Sequence, residues 1–231
     1  MLTEQLTGDA IASEIADRGY ATRPLLDGAT CRAIAALYAR EDGFRKRIVM
    51  EHHGYGRGEY KYFSYPLPDA VAALRSALYP PLAAIATAWR QALGEMGEAY
   101  PATHAEYLAL CHAAGQNRPT PLLLRYEENG FNCLHQDLYG PLVFPLQIVV
   151  MLSDPATDFT GGEFLLVEQR PRAQSRAEIV PLAQGEAAIF PVHHRPGKGA
   201  RGFHRLTMRH GVSRVRSGTR QTLGIIFHDA A

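Results

Sequence analysis

The sequence predicts a mainly β domain with helices gathered in its N-terminal half. Three observations carry this. From Pro121 onward, eight short runs rich in Val, Ile, Leu, Phe and Tyr are separated by Gly, Pro, Asn and Asp turn signals. Before that point, apolar residues recur at helical spacing. Hydrophobic residues make up 46% of the 231, enough for one domain with a substantial core and too many for a disordered chain.

Residues 3–18 read as a helix, with Thr3 as N-cap and Leu6, Ile11 and Ile15 on one side. Gly19 to Leu26 reads as a short strand. Residues 30–41 form a second helix, with Ile34, Leu37 and Tyr38 on one face. The stretch from His52 to Tyr65 is rich in Gly and Tyr. Within it Glu59 to Phe63 reads as a strand that puts Tyr60 and Tyr62 on one face, and with Lys61 these are candidates for a lid. Pro68-Asp69 opens a helix to about Leu78. Pro80-Pro81 is expected to break it and to begin a longer one carrying Leu82, Ile85, Trp89 and Leu93 at core spacing, with Trp89 in the core. Strands follow at 121–127, 132–139, 145–152, 162–168, 177–182, 186–191, 207–214 and 221–228. Eight short strands with such turns predict a sandwich or jelly roll, the double-sheet arrangement that cupins also use. No repeat or long linker divides the chain. A single domain over 1–231 is expected, with a helix-rich part over 1–118 and a β core over 119–231.

Composition narrows the setting. No long apolar run suggests a membrane span, and the N-terminus lacks the basic and apolar regions of a signal peptide. Three scattered cysteines form no C-x-x-C and no even framework, which fits a reducing cytoplasm. The net charge of +1 hides an asymmetry. Residues 170–220 hold eleven Lys and Arg against Glu178 and Glu186, a balance of +9, so the remainder carries −8. Such a split suggests an anionic partner for one face, or else arginines that are structural or solvated.

The chemistry is concentrated in two stretches. In Asn132-Cys133-Leu134-His135-Gln136-Asp137-Leu138-Tyr139, a strand would put His135 and Asp137 on one face and turn Gln136 away. One His and one carboxylate are two thirds of a facial triad, which holds Fe(II) and leaves positions open. Downstream, His210 ends a strand-like run, Ser217-Gly218 makes a turn and Arg220 opens the next strand. That pairing predicts His210 and Arg220 at one end of a hairpin. A guanidinium there suits the carboxylate of a metal-bound acid. His193, His194 and His204 compete with His210 as third ligand, and Arg214 competes with Arg220. A closed structural zinc site usually has four ligands and often Cys, and the only nearby Cys is Cys133.

With H-x-D, the later H-x-V and an Arg ten residues after that His, the chain resembles the Fe(II)/2-oxoglutarate-dependent oxygenases, in their prolyl-hydroxylase-like branch. The resemblance covers roughly residues 120–230. Gly161-Gly162-Glu163-Phe164, Gln169-Arg170-Pro171-Arg172 and His193-His194-Arg195-Pro196 are similar to one bacterial subfamily of mostly uncharacterised members. The resemblance implies a double-stranded β-helix with the metal at its open mouth and the helices bracing the outer sheet. It implies His135, Asp137 and His210 as ligands of Fe(II), and Arg220 on the distal carboxylate of the cosubstrate 2-oxoglutarate. It implies Tyr126 as a hydrogen-bonding partner of that cosubstrate, with Arg125 pointing the other way. It also implies a reaction in which O₂ is consumed, succinate and CO₂ are released and a substrate C–H bond is hydroxylated. Cys133, Tyr60 and Tyr62 are candidates to line the substrate site, and the loop arginines Arg170, Arg172 and Arg176 to meet an anionic substrate. Gly161-Gly162 reads either as a turn that lets backbone approach the pocket or as a plain hairpin. The substrate is a small molecule or a protein side chain; the alternative is an alkylated nucleobase in DNA or RNA, undergoing oxidative demethylation. The nucleic-acid demethylases carry a distal R-x-N-x-x-x-R run that this chain lacks. A third reading is a non-catalytic metal-binding β-barrel, a sensor or binding module.

Overall fold

In the computed structural model, which describes residues 8–200 and 202–231, four helices precede and brace a pair of antiparallel sheets. The expected Thr3 cap and Leu6 lie outside the described residues. In chain order the first half holds α1 (Gly8–Arg18), β1 (Ala21–Pro24), α2 (Gly28–Ala36), β2 (Phe44–Val49), β3 (Gly56–Arg57), β4 (Glu59–Phe63), α3 (Asp69–Ala92) and α4 (His104–Ala113). The second half holds β5 (Leu122–Tyr126), β6 (Phe131–His135), β7 (Leu146–Met151), β8 (Phe159–Gly161), β9 (Phe164–Gln169) and β10 (Arg176–Val180). It continues with β11 (Glu186–Pro191), β12 (His194–Gly199), β13 (Gly202–Val212), β14 (Val215–Gly218) and β15 (Arg220–Ile226).

The large sheet has the order β1-β11-β7-β15-β5-β4-β2 and the smaller one β10-β9-β13-β6-β3, with β12 also on β13 and a separate β14-β8 ribbon. The eight principal strands β5, β6, β7, β9, β10, β11, β13 and β15 wind between the two sheets, the jelly-roll arrangement that the sequence predicts. The N-terminal half is not helical bracing alone: β1 extends one edge of the large sheet, and β4 and β2 the other.

Strand parity divides the core. Leu146, Ile148 and Val150 on β7, Ala187 and Ile189 on β11 and Leu223 and Ile225 on β15 face the helices. There they pack with Ile11 and Ile15 of α1, Ile34 of α2 and Leu78, Leu82 and Ile85 of α3. Their neighbours Val149 and Met151 of β7, with Ala188 and Phe190 of β11, turn into the space between the sheets and meet Phe164, Leu166, Met208 and Val212.

Two readings need correction. Pro80 and Pro81 do not break the helix; α3 runs through both. Each proline forfeits a helical hydrogen bond, yet buried Leu78, Tyr79, Leu82 and Ala83 flank the pair and hold both halves to the sheet. Trp89 packs at the edge of that core. By length and composition α3 is long and apolar enough to cross a bilayer, contrary to the absence read from sequence. It carries a buried arginine, however: Arg75 is 1% exposed, bound to Asp229 at 2.8 Å and to the Ile226 carbonyl at 2.9 Å. Such a face suits a core helix better than a span.

Candidate metal centre

The strand holding His135 is shorter than expected. β6 ends at His135, so Asp137 stands on the loop that follows and not on the same strand. Gln136, between them, fixes the turn by donating to the carbonyls of His193 at 3.2 Å and Met208 at 2.8 Å. His210 comes from β13, the direct neighbour of β6, and lies opposite His135 in register. The His135 Nε2 is 3.6 Å from one Asp137 oxygen and the His210 Nε2 3.3 Å from the other. One ligand atom from each of the three lies within 4.8 Å of the others.

The protonation of this cluster follows from its partners. The His135 Nδ1 lies 2.8 Å from the Cys133 carbonyl, which only accepts. Nδ1 therefore carries the proton, and the Nε2 lone pair is free to face a metal. Burial and the neighbouring His210 hold the His135 pKa below its ordinary value, which keeps the ring neutral. Burial alone would raise the Asp137 pKa. The hydrogen bond and charge of His210, the charge of His135 and the Tyr139 hydroxyl outweigh it and hold the carboxyl well below the usual carboxylate range. The His210 ring is held by packing, with Phe190 at 5.0 Å and His135 at 4.2 Å between ring centroids. Two imidazoles and one carboxylate on one side, facing a cavity, are the donor set of the facial triad with open positions.

The triad sits on a cavity of about 400 Å³ between the sheets, within the range usual for small-molecule sites. Arg220 also lines it, but not through a hairpin with His210. β13 belongs to the smaller sheet and β15 to the large one, so the two residues face one cavity from opposite sheets. The ribbon of β14 with β8 takes up the chain between them. Arg220 is fully buried, and none of its three guanidinium nitrogens has a hydrogen-bond partner. Burial lowers its pKa to about 10, against the charges of Tyr126 and Glu163. Tyr126, its cross-strand partner, lies with its ring 5.6 Å from the guanidinium and its hydroxyl 3.3 Å from Asn132 Nδ2. Gly162 lets backbone come close here. Its φ is 63°, and a Cβ would sit 2.9 Å from the Arg220 Cδ, so a glycine is needed against that side chain, while neither Gly161 nor Gly162 lines the cavity itself. An unpaired buried cation is costly. The residues fit a dicarboxylate that chelates a metal at one end and meets Arg220 at the other.

Other expected residues fall differently. Cys133 lines the mouth but is exposed, and its carbonyl is what orients His135. Tyr60 and Tyr62 form no lid. They lie on β4, paired on both sides by β5 and β2, with Tyr60 in the cavity wall and Lys61 buried against the Tyr38 and Arg40 carbonyls. Arg170 and Arg172 lie on the exposed β9–β10 turn, outside the cavity lining, and Arg170 pairs with Glu168. Arg125 turns away to Glu127 as expected. His193 and His194 lie together beside Glu95, and His204 is on β13 opposite Gly197; none lines the cavity. Sequence reasoning missed Tyr139, whose hydroxyl donates to Asp137 at 2.6 Å, and Gln147, whose buried Nε2 has no partner. Gln147 was open to detection as the one polar residue in the apolar run Leu146 to Met151.

A jelly roll with this triad and an unpaired arginine across the cavity defines an Fe(II)/2-oxoglutarate-dependent oxygenase, and its cofactor and cosubstrates are Fe(II), 2-oxoglutarate and O₂. The fold is that of a prolyl-4-hydroxylase from Pseudomonas putida (TM-score 0.56, 15% identity, 94% of this chain and 97% of that one). It is also that of a 2OG-Fe(II) oxygenase family oxidoreductase from Burkholderia pseudomallei (TM-score 0.53, 16% identity, 97% and 92%). Residues 58–230 match the Oxygenase-NA family, described as oxygenases catalysing oxidative methylation of damaged DNA, and the chain belongs to that family. It is 50% identical over 192 residues to an uncharacterised protein of Mycobacterium tuberculosis, MT2286 in strain CDC 1551, covering 81% of this chain and 82% of that one.

Proposed function

We propose that the chain oxidises an alkyl group on a nucleobase of DNA or RNA, with His135, Asp137 and His210 holding Fe(II) and Arg220 holding the distal carboxylate of 2-oxoglutarate beside Tyr126. When bound, iron and 2-oxoglutarate supply the oxidising power, with succinate and CO₂ as by-products. The residues of the chain do the rest. His135 and His210 offer ring nitrogens, Asp137 stays ionised, and Arg220 fixes one end of the cosubstrate by charge-assisted hydrogen bonds. Phe164, Phe190 and Val212 keep water from the inner wall of the cavity. Hydroxylation of an N-methyl group converts a C–H to a C–OH bond. The C–N bond then breaks, the proton returns to the base nitrogen and formaldehyde leaves.

The observation that carries the substrate reading is at the mouth. The His53 and Tyr55 rings stack at 5.2 Å and 21°, both exposed, and Tyr55 lines the cavity entrance. A planar base has an aromatic face to rest on there. Exposed Arg214 lies over the Phe131 ring at 5.4 Å, placed to meet a phosphate, and exposed Arg57, the cross-strand partner of Phe131, lies 3.8 Å from Glu51. The family description points the same way. Apart from Arg214, the +9 segment lends little: Arg195 and Arg220 are buried, while exposed Arg205 and Arg209 alternate with the inward residues of β13. Free thiols at Cys31, Cys111 and Cys133 suit a reducing, cytoplasmic setting.

The test is succinate and formaldehyde release with single-stranded oligonucleotides carrying N-methylated bases, at two salt concentrations. Turnover that falls with salt and in Tyr55→Ala supports the proposal. Turnover of 2-oxoglutarate driven by a prolyl peptide, with none on any methylated oligonucleotide, moves the substrate to a protein side chain.

A further inference from the structure

Three tyrosines stand in series behind the metal-facing carboxylate. Tyr139, two residues beyond Asp137, donates its hydroxyl to Asp137 Oδ1 at 2.6 Å. Tyr62 stands next, its ring edge-on to the Tyr139 ring at 6.2 Å. Tyr60 follows on the same face of β4, also edge-on to Tyr62, with ring centroids 5.3 Å apart. The guanidinium of Arg45 lies 4.3 Å from the centre of the Tyr62 ring. Tyr62 is buried, and Tyr60 and Tyr139 both line the cavity.

An ionised carboxylate only accepts, so the single Tyr139 proton is committed to Asp137. Tyr62 packs edge-on against the Tyr139 ring and Tyr60 edge-on against Tyr62, which holds the ring that carries this hydroxyl. The two Asp137 oxygens are therefore unlike. Oδ1 carries the Tyr139 bond; Oδ2 faces His210 Nε2 at 3.3 Å and has no tyrosine on it.

We infer that Tyr139, backed by Tyr62 and Tyr60, is a positioning residue that ties down Asp137 Oδ1 so that the carboxylate offers the metal one oxygen. A carboxylate is free to take a metal with both oxygens, which would fill a position that cosubstrate or O₂ needs. The hydroxyl at Oδ1 competes with that second bond. This also gives Tyr60 and Tyr62 work at the site other than covering it. The inference rests on Asp137 being a ligand, but not on the identity of the substrate.

The test uses the whole chain stripped of metal, with Mn(II) binding followed by electron paramagnetic resonance and Co(II) binding by visible absorption. Tyr139→Phe keeps the ring against Tyr62 and His228 and removes only the hydroxyl. It should weaken Mn(II) binding roughly 10- to 100-fold, the usual effect of removing a group that orients a ligand. It should also weaken and shift the Co(II) bands, as a second carboxylate oxygen raises the coordination number. Tyr62→Leu, which removes the ring packed against Tyr139, should move both readouts the same way by a smaller factor. A folded Tyr139→Phe protein with wild-type Mn(II) affinity and an unchanged Co(II) spectrum overturns the inference. So does an unchanged Tyr62→Leu protein if Tyr139→Phe fails to fold. A wild-type protein that binds neither metal removes Asp137 as a ligand and the inference with it.

Discussion

Replacing Arg220 should make the empty protein more stable and the cosubstrate complex weaker. The side chain is fully buried with three nitrogens unpartnered. The fall in its pKa from 12.5 to about 10 corresponds to about 3 kcal/mol spent on keeping it charged. Arg220→Met keeps most of the stem that packs on Gly162 and removes the charge. It forfeits the contact with the Tyr126 ring, worth about 1–2 kcal/mol in a dry setting. The net gain is about 1–2 kcal/mol, or roughly 2–8 °C in melting temperature for a chain of this size. The same change removes the cation that meets the distal carboxylate. Truncating one partner of a buried charge pair costs about 2–5 kcal/mol, so the Kd for 2-oxoglutarate should rise by at least about 30-fold. Calorimetric titration of 2-oxoglutarate into Mn(II)-loaded protein, beside melting curves of the metal-free protein, reads both signs. A variant that melts lower than wild type and still binds 2-oxoglutarate normally would refute the assignment. Arg220 would then be a structural residue whose burial is compensated in some other way.

Three further outcomes follow from buried polar groups. Gln147→Leu removes an amide nitrogen that is buried without a partner, so unfolding in urea should shift upward by about 1 kcal/mol or more. If that amide meets cosubstrate or substrate, the variant loses affinity for one of them in steady-state kinetics. Asp229→Ala should destabilise by about 3–5 kcal/mol. It leaves Arg75 charged and buried, and it breaks bonds from Tyr65 at 2.8 Å and His112 at 2.9 Å, which chemical denaturation will register. His104 and His228 are both pushed down to about 4, by burial first and the charge of Arg75 second. Their folded pKa values lie below the unfolded value near 6.5. The unfolded chain therefore takes up protons first, and stability present above pH 6.5 is lost as pH falls toward 4. The expected loss is about 1.4 kcal/mol per pH unit for each ring, measured as the urea midpoint against pH, and His104→Asn should flatten that dependence.

How much of this was legible in the sequence depended on whether a residue's face followed from its own strand. Tyr126 and Arg220 lie on strands without clean alternation, Leu122 to Tyr126 and Arg220 to Ile226, so the family resemblance and not parity singled them out; register then makes them cross-strand partners in one pocket. Asp137 was placed beside His135 by strand parity, and the two are close, but for a different reason: the strand stops at His135 and a loop delivers the carboxylate. Gln136, expected to turn away, is tied to the carbonyls of His193 and Met208 and still reaches the cavity lining. The hairpin expected between His210 and Arg220 failed because sequence proximity favours pairing, whereas the jelly roll sends successive strands to opposite sheets. The helix His104–Ala113 escaped because its apolar residues gather on no single face. Its signal was the capping box of Thr103 and Glu106, with bonds of 3.3 Å and 3.0 Å in the two directions. Tyr139 was quoted in the motif and given no role, because a hydroxyl two residues beyond a ligand has no periodicity to announce it. Only the loop conformation turns it back onto Asp137. The ligand set could thus be read from spacing, while the groups that orient those ligands depend on where loops carry the chain after each strand ends.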